Sequence, residues 1–154
     1  MTERFISEIL MDEASLRGFG ASIASHLQAG DVLALTGGLG AGKTTFSRGV
    51  IQALLGAVEV PSPTYTLVQS YTCPNYELWH CDLYRLEAPE DVLELGLVDM
   101  EADIVSLIEW PDKMGGYLSP QALRVHIDLY EAGRKISLSG LESWAVRLKE
   151  LGSS

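Results

Sequence analysis

The sequence of 154 residues has little that would suit a membrane, secreted or zinc-binding protein. No apolar run approaches the ~20 residues that span a bilayer, and the first ten residues carry Glu3, Arg4 and Glu8 where a secretory signal would be apolar. Cys73 and Cys81 lack the close paired spacing of zinc ligands, so we interpret them as reduced thiols. These absences predict a soluble, cytoplasmic protein without a membrane span.

Basic charge is also scarce. The chain has 11 Lys and Arg residues against 21 Asp and Glu residues, which gives a formal net charge of −10. Proteins that bind nucleic acids cluster Lys and Arg against the phosphates, whereas the basic residues here are scattered along the chain. We therefore expect no tight direct binding of RNA or DNA, and a basic partner protein stays possible.

Segments with helical and strand-like patterns alternate along the chain, which is typical of an α/β protein. Helices are predicted over residues 13–27 (with Asp12 as N-cap), 43–55, 89–95 and 141–151. Strands are predicted over residues 4–10, 31–36, 65–71, 76–84, 104–108, 123–129 and 135–138. The pattern predicts a single domain over residues 1–154, in which helices flank a central, mostly parallel sheet and residues 73–75 turn an antiparallel hairpin.

A glycine-rich segment over residues 37–44, GGLGAGKT, fits the phosphate-loop pattern G-x-x-x-x-G-K-[ST]. Glycines let successive backbone N–H groups converge on one phosphate, and the following helix directs the positive end of its dipole at the same anion. In such a loop Lys43 reaches the β- and γ-phosphates, and the Thr44 hydroxyl can bind Mg²⁺. A predicted strand before the loop and a helix after it support a P-loop NTPase-like fold.

The metal in such a site needs a carboxylate from the end of a neighbouring strand. Glu109 directly follows the most apolar predicted strand, and Asp82 lies near the end of a hairpin strand. Either residue could hold the metal or orient the attacking water. Thr64 lies in a proline-rich segment beyond the loop's helix, where it could sense the γ-phosphate or form part of a rigid turn.

The nucleotide and the class of reaction follow from further absences. The only asparagine is Asn75, followed by Tyr76, so the N-K-x-D element by which GTPases read guanine is missing. ATP is therefore the expected nucleotide. Seven scattered arginines and no insertion of lid size favour a compact ATPase with a conformational output. A small-molecule phosphotransferase that uses the same loop is the alternative.

Four segments together resemble the bacterial TsaE family, also called YjeE. They are LGAGKTTF at residues 39–46, SPTYTLV at 62–68, HCDLYR at 80–85 and IEWP at 108–111, in an order and spacing that agree over about residues 12–134. Two positions depart from the family pattern. Cys81 replaces an aromatic residue, and Gly38 replaces an aspartate that precedes the loop's core.

The resemblance implies a small ATPase of bacterial tRNA N6-threonylcarbamoyladenosine synthesis at position 37. Such proteins bind a TsaB–TsaD heterodimer, reset it by ATP hydrolysis between turnovers, and meet tRNA only indirectly. It implies Lys43 as the Walker lysine, Thr44 and Glu109 as Mg²⁺ ligands, and Asp82 as the important aspartate of the H-x-D-L-Y-R motif. Lys43, Asp82 and Glu109 are then the expected catalytic residues. The expected nucleotide contacts are Leu39, Gly40, Ala41, Gly42, Lys43, Thr44, Thr45 and Thr64.

The resemblance adds expectations around this set. Trp110 abuts the metal ligand Glu109. Independently of the resemblance, His80 has no second ligand close to it in the sequence, so we interpret it as structural support for Asp82. The junction between the first strand and helix touches the nucleotide base in the family, which makes Asp12, Glu13 or Ser15 candidates for that contact here.

Overall fold

A computed structural model describes residues 3–10, 12–38, 40–61, 67–96, 103–131 and 133–149, with residues 3–10 and 130 described as backbone only. Among these residues, no helix combines the length and the apolar character that crossing a membrane requires.

The described strands form one seven-stranded sheet in the order β1-β7-β6-β2-β5-β4-β3. Strands β6, β2, β5 and β4 are mutually parallel at its centre, whereas β3, β7 and β1 join in antiparallel pairs. The bounds are β1 Glu3–Leu10, β2 Val32–Thr36, β3 Val68–Thr72, β4 Glu77–Asp82, β5 Ile104–Glu109, β6 Leu123–Tyr130 and β7 Gly133–Gly140. The predicted α/β class, parallel centre and β3–β4 hairpin are confirmed.

Three α-helices accompany the sheet in the described chain: α1 Glu13–Ala24, α2 Lys43–Leu55 and α3 Glu142–Arg147. Helix α1 begins where predicted, because the Asp12 carboxylate accepts a hydrogen bond of 2.7 Å from the Ser15 N–H. It ends earlier than predicted, because the chain after Ala24 tightens into bonds from residue i to residue i−3: His26 N–H donates to the Ile23 carbonyl at 2.9 Å, and Leu27 N–H to the Ala24 carbonyl at 3.3 Å. The segment predicted as a helix over residues 89–95 is a 3₁₀ turn, Pro89–Leu93.

The main core lies between the sheet and the pair α1 and α2, with Ile23, Leu35 and Phe46 fully buried in it. The two helices approach closely at Gly49, where a Cβ atom would overlap the carbonyl oxygen of Arg17. This close packing holds α2, the helix that follows the glycine-rich loop, against α1.

Candidate functional site

The loop between β2 and α2 adopts a conformation that depends on glycine at its end. Gly42, the N-cap of α2, has a φ of 118°, and a Cβ atom there would overlap the Leu16 side chain. The start of α2 therefore presents its unpaired N–H groups toward the loop, which is the arrangement that binds anions. Leu39, a predicted nucleotide contact, lies outside the described residues.

Lys43 is folded into this loop and is only 5% exposed. Its Nζ atom donates to the carbonyl oxygens of Gly37 at 2.6 Å and Gly38 at 3.0 Å, and lies 4.2 Å from the centre of the Trp110 ring. Burial lowers the pKa of Lys43, and the nearby carboxylates of Glu109, Asp82 and Asp112 oppose that shift. The loop thus holds a partly desolvated cation, and such a group forms strong charge-assisted hydrogen bonds with a phosphate.

The two predicted metal ligands lie in direct contact. The Thr44 hydroxyl donates to the Glu109 carboxylate oxygens, Oε1 at 3.2 Å and Oε2 at 3.1 Å. Glu109 ends β5, which is the parallel neighbour of β2, so the topology brings the strand-end carboxylate beside the loop. It is only 3% exposed.

A hydroxyl and a carboxylate are oxygen donors that suit Mg²⁺. The described residues contain no group of three or more His, Cys, Asp or Glu side chains placed to hold a metal. A Mg²⁺ ion held here would therefore take its other ligands from phosphates and water, as Mg²⁺ in nucleotide sites commonly does.

Asp82 stands directly opposite Glu109, because the two residues are paired in the parallel register of β4 and β5. Its carboxylate accepts from the Tyr84 N–H at 3.0 Å, and its own N–H donates to the Leu67 carbonyl at 2.9 Å. Leu67, at a φ of 68°, directly follows residues 62–66, which lie outside the described part and include Thr64. Asp82 therefore holds Leu67, the first described residue after that segment, in place.

His80 makes a contact that the sequence did not predict. Its Nε2 atom lies 2.7 Å from Oε2 of Glu109, on the neighbouring strand β5. His80 is in register with Leu107, so Glu109, two residues further along β5, is its diagonal neighbour, which a long ring side chain can still reach. The ring therefore reaches the adjacent strand.

Sequence reasoning missed Arg134, at the second position of β7. Its guanidinium donates from Nε to the Ala41 carbonyl at 2.7 Å and from a terminal nitrogen to the Gly40 carbonyl at 3.4 Å. No local pattern links residues so far apart in the chain. The Thr45 hydroxyl, a predicted nucleotide contact, donates to the Glu13 carboxylate at 3.3 Å.

The fold and this loop define a P-loop NTPase-like α/β protein. Residues 10–136 match the family model described as threonylcarbamoyl adenosine biosynthesis protein TsaE. The chain is 38% identical over 139 residues to the tRNA threonylcarbamoyladenosine biosynthesis protein TsaE of Haemophilus influenzae, with 86% of this chain and 88% of that protein covered. It is also 37% identical over 105 residues to the protein of the same name from Bacillus subtilis, with 68% and 65% covered. The chain belongs to the TsaE family.

A solved structure agrees with the fold. The crystal structure of Bacillus subtilis YdiB superposes with a TM-score of 0.77 at 23% sequence identity, and the match covers 98% of this chain and 95% of that one.

Proposed function

We propose that this protein is an ATPase of tRNA N6-threonylcarbamoyladenosine synthesis. It binds ATP with Mg²⁺ and couples slow hydrolysis to turnover of a TsaB–TsaD-type complex. Membership of the TsaE family supports the pathway, since its relatives are named for threonylcarbamoyladenosine biosynthesis. The observation that carries the chemistry is the contact of Thr44 with Glu109 beside the buried cation of Lys43.

Binding in this proposal uses groups that already face the loop. Backbone N–H groups at the start of α2 receive the phosphates. The Lys43 ammonium exchanges its neutral carbonyl acceptors, Gly37 and Gly38, for phosphate oxygens, which make stronger charge-assisted hydrogen bonds. Thr44 and Glu109 hold the Mg²⁺ ion, which neutralises charge on the phosphates.

Hydrolysis depends mainly on positioning and charge neutralisation. Asp82 is buried and lies in register with Glu109, so it can orient the attacking water while Glu109 serves the metal. The Arg134 guanidinium donates to loop carbonyls, so its charge faces the backbone and is not free to stabilise the charge that develops on the transferred phosphate. We therefore assign completion of the catalytic set to the partner complex, and a switch role to Thr64.

The test is steady-state release of phosphate from ATP, with and without the TsaB–TsaD-type complex. We expect slow release by the protein alone and faster release with the complex. Lys43→Ala should abolish both rates through loss of ATP binding, whereas the matched control Lys149→Ala removes an exposed lysine and should change neither.

Three outcomes would count against the proposal. Unchanged ATP affinity in Lys43→Ala, measured by calorimetry, would overturn the assignment of the loop. A rate indifferent to the complex would overturn the coupling. Transfer of phosphate to an added small acceptor, and not to water, would make the protein a phosphotransferase.

A further inference from the structure

His80 is a fully buried histidine with only one of its two ring nitrogens hydrogen-bonded among the residues that the structure describes. We propose that His80 is a positioning residue, which holds the Glu109 carboxylate in the orientation that binds Mg²⁺. The metal part rests on the function proposed above, whereas the contact itself is a property of the metal-free protein.

The contact fixes the tautomer of the ring. Nε2 of His80 lies 2.7 Å from Oε2 of Glu109, and an ionised carboxylate only accepts hydrogen bonds. Nε2 therefore carries the proton. The other nitrogen, Nδ1, is buried and has no hydrogen-bond partner among the described residues.

Packing alone does not explain a histidine at this place. His80 is 0% exposed, its register partner on β5 is Leu107, and Leu78 and Cys81 on its own strand are also fully buried. An unsatisfied buried polar atom lowers stability, a cost that an apolar side chain would avoid. Within the described part of the chain, the group that the imidazole contacts by a hydrogen bond is the Glu109 carboxylate.

The benefit is a fixed orientation of that carboxylate. The Thr44 hydroxyl lies 3.2 and 3.1 Å from the two Glu109 oxygens, so it does not select between them. The shorter contact from His80 selects Oε2 and sets the plane of the carboxylate. Outer partners of this kind commonly change metal affinity by about 10–100-fold when they are removed.

The chain allows a matched set of variants. His80→Leu removes the N–H donor, and His80→Gln restores one on a neutral side chain. His26→Leu removes an imidazole from the turn after α1, a residue outside this contact, and is the control. Thermal unfolding identifies any variant that fails to fold.

The first measurement uses the protein without metal or nucleotide. Nitrogen-15 NMR of the imidazole rings should show His80 protonated at Nε2, with a resonance that shifts in Glu109→Gln while that of His26 does not. A proton on Nδ1 instead, or indifference to Glu109→Gln, would overturn the contact. This readout does not depend on ATP binding.

The second measurement is calorimetric titration of Mg²⁺ into protein loaded with a non-hydrolysable ATP analogue. We expect affinity to fall about 10–100-fold in His80→Leu, to recover largely in His80→Gln, and to stay unchanged in His26→Leu. Affinity for the analogue in excess chelator should be the same in all four proteins.

Equal Mg²⁺ affinity in wild type and His80→Leu would overturn the positioning role, as would an equal loss in the Leu and Gln variants. If wild type shows no Mg²⁺-dependent binding of the analogue, the metal role falls together with the proposed function. If NMR still shows the His80–Glu109 contact in that case, the proposed function is wrong while the described geometry is correct.

Discussion

At the scale of single residues, Lys43 makes the site sensitive to alkaline pH. Burial lowers its pKa in the free protein, whereas bound phosphates favour the protonated form. ATP affinity should therefore decrease as pH rises through this lowered pKa, and the decrease should begin below the ~10.4 of an ordinary lysine. Calorimetric affinities measured at increasing pH would show it.

The control for this experiment is Lys149→Ala, which should follow the wild-type pH profile because that lysine is exposed. An affinity that stays constant until the range of an ordinary lysine would contradict the role of burial at Lys43.

The site residues that could be predicted from the sequence are those that belong to a local sequence pattern. Lys43 and Thr44 belong to one short motif, and Glu109 follows an apolar strand, so their placement was predictable. Arg134 was not, because its contact with the loop depends on how β7 lies beside β6 and β1. The contact of His80 with Glu109 was not predicted for the same reason, since it depends on the neighbouring strand.

At the scale of elements, the crossing of α1 and α2 holds the loop in place. Gly49→Ala should destabilise the protein by about 1–3 kcal/mol, because the added Cβ overlaps the Arg17 carbonyl and forces the helix backbones apart. Gly18→Ala is the matched control. Gly18 also lies in a helix, but a Cβ atom there meets nothing within 4 Å.

The control substitution should stabilise the protein by up to about 1 kcal/mol, since alanine favours helix more than glycine does. Denaturant unfolding of both variants measures the two effects. Equal changes in the free energy of unfolding of the two variants would show that helix propensity alone determines the effect, and that the close approach at Gly49 does not contribute to stability.

Sequence patterns predicted which elements exist better than where they end. The apolar runs at residues 31–36 and 104–108 predicted strands, the second of them a central one, and β2 and β5 are both found at the centre of the sheet. The 3₁₀ segment Pro111–Tyr117 was not predicted, because it begins after Trp110, which adopts a φ of 60° that no local pattern signals. Thr64 lies outside the described residues, so its switch role stays a prediction.

At the scale of the whole molecule, the two ends of the sheet differ in chemistry. The carboxyl ends of the central strands carry the loop, Glu109 and Asp82. The opposite end has a cavity of about 200 Å³ lined in part by Asp31 and Arg147. Those two form an ion pair of 2.6 Å, which ties α3 to the start of β2. The proposed chemistry is thus confined to one end.

The distribution of charge leads to the last prediction, which concerns tRNA. The net charge is −10, and several of the few basic groups are already engaged within the protein. Lys43 and Arg134 bind loop carbonyls, Arg48 donates to the Val60 carbonyl, and Arg147 pairs with Asp31. A protein binds tRNA tightly when clustered Lys and Arg side chains neutralise the phosphates. The counterions released from the tRNA then favour binding.

We therefore expect the isolated protein to bind tRNA no more tightly than about 10 µM at physiological salt, which is within the range of non-specific binding. Fluorescence anisotropy of labelled tRNA, measured over a series of salt concentrations, checks both the affinity and its salt dependence. The same titration with the TsaB–TsaD-type complex present is the positive control, because tRNA should then be retained through the partner. A sub-micromolar dissociation constant for the isolated protein would mean that it contacts tRNA directly, and that its acidic surface conceals a basic site.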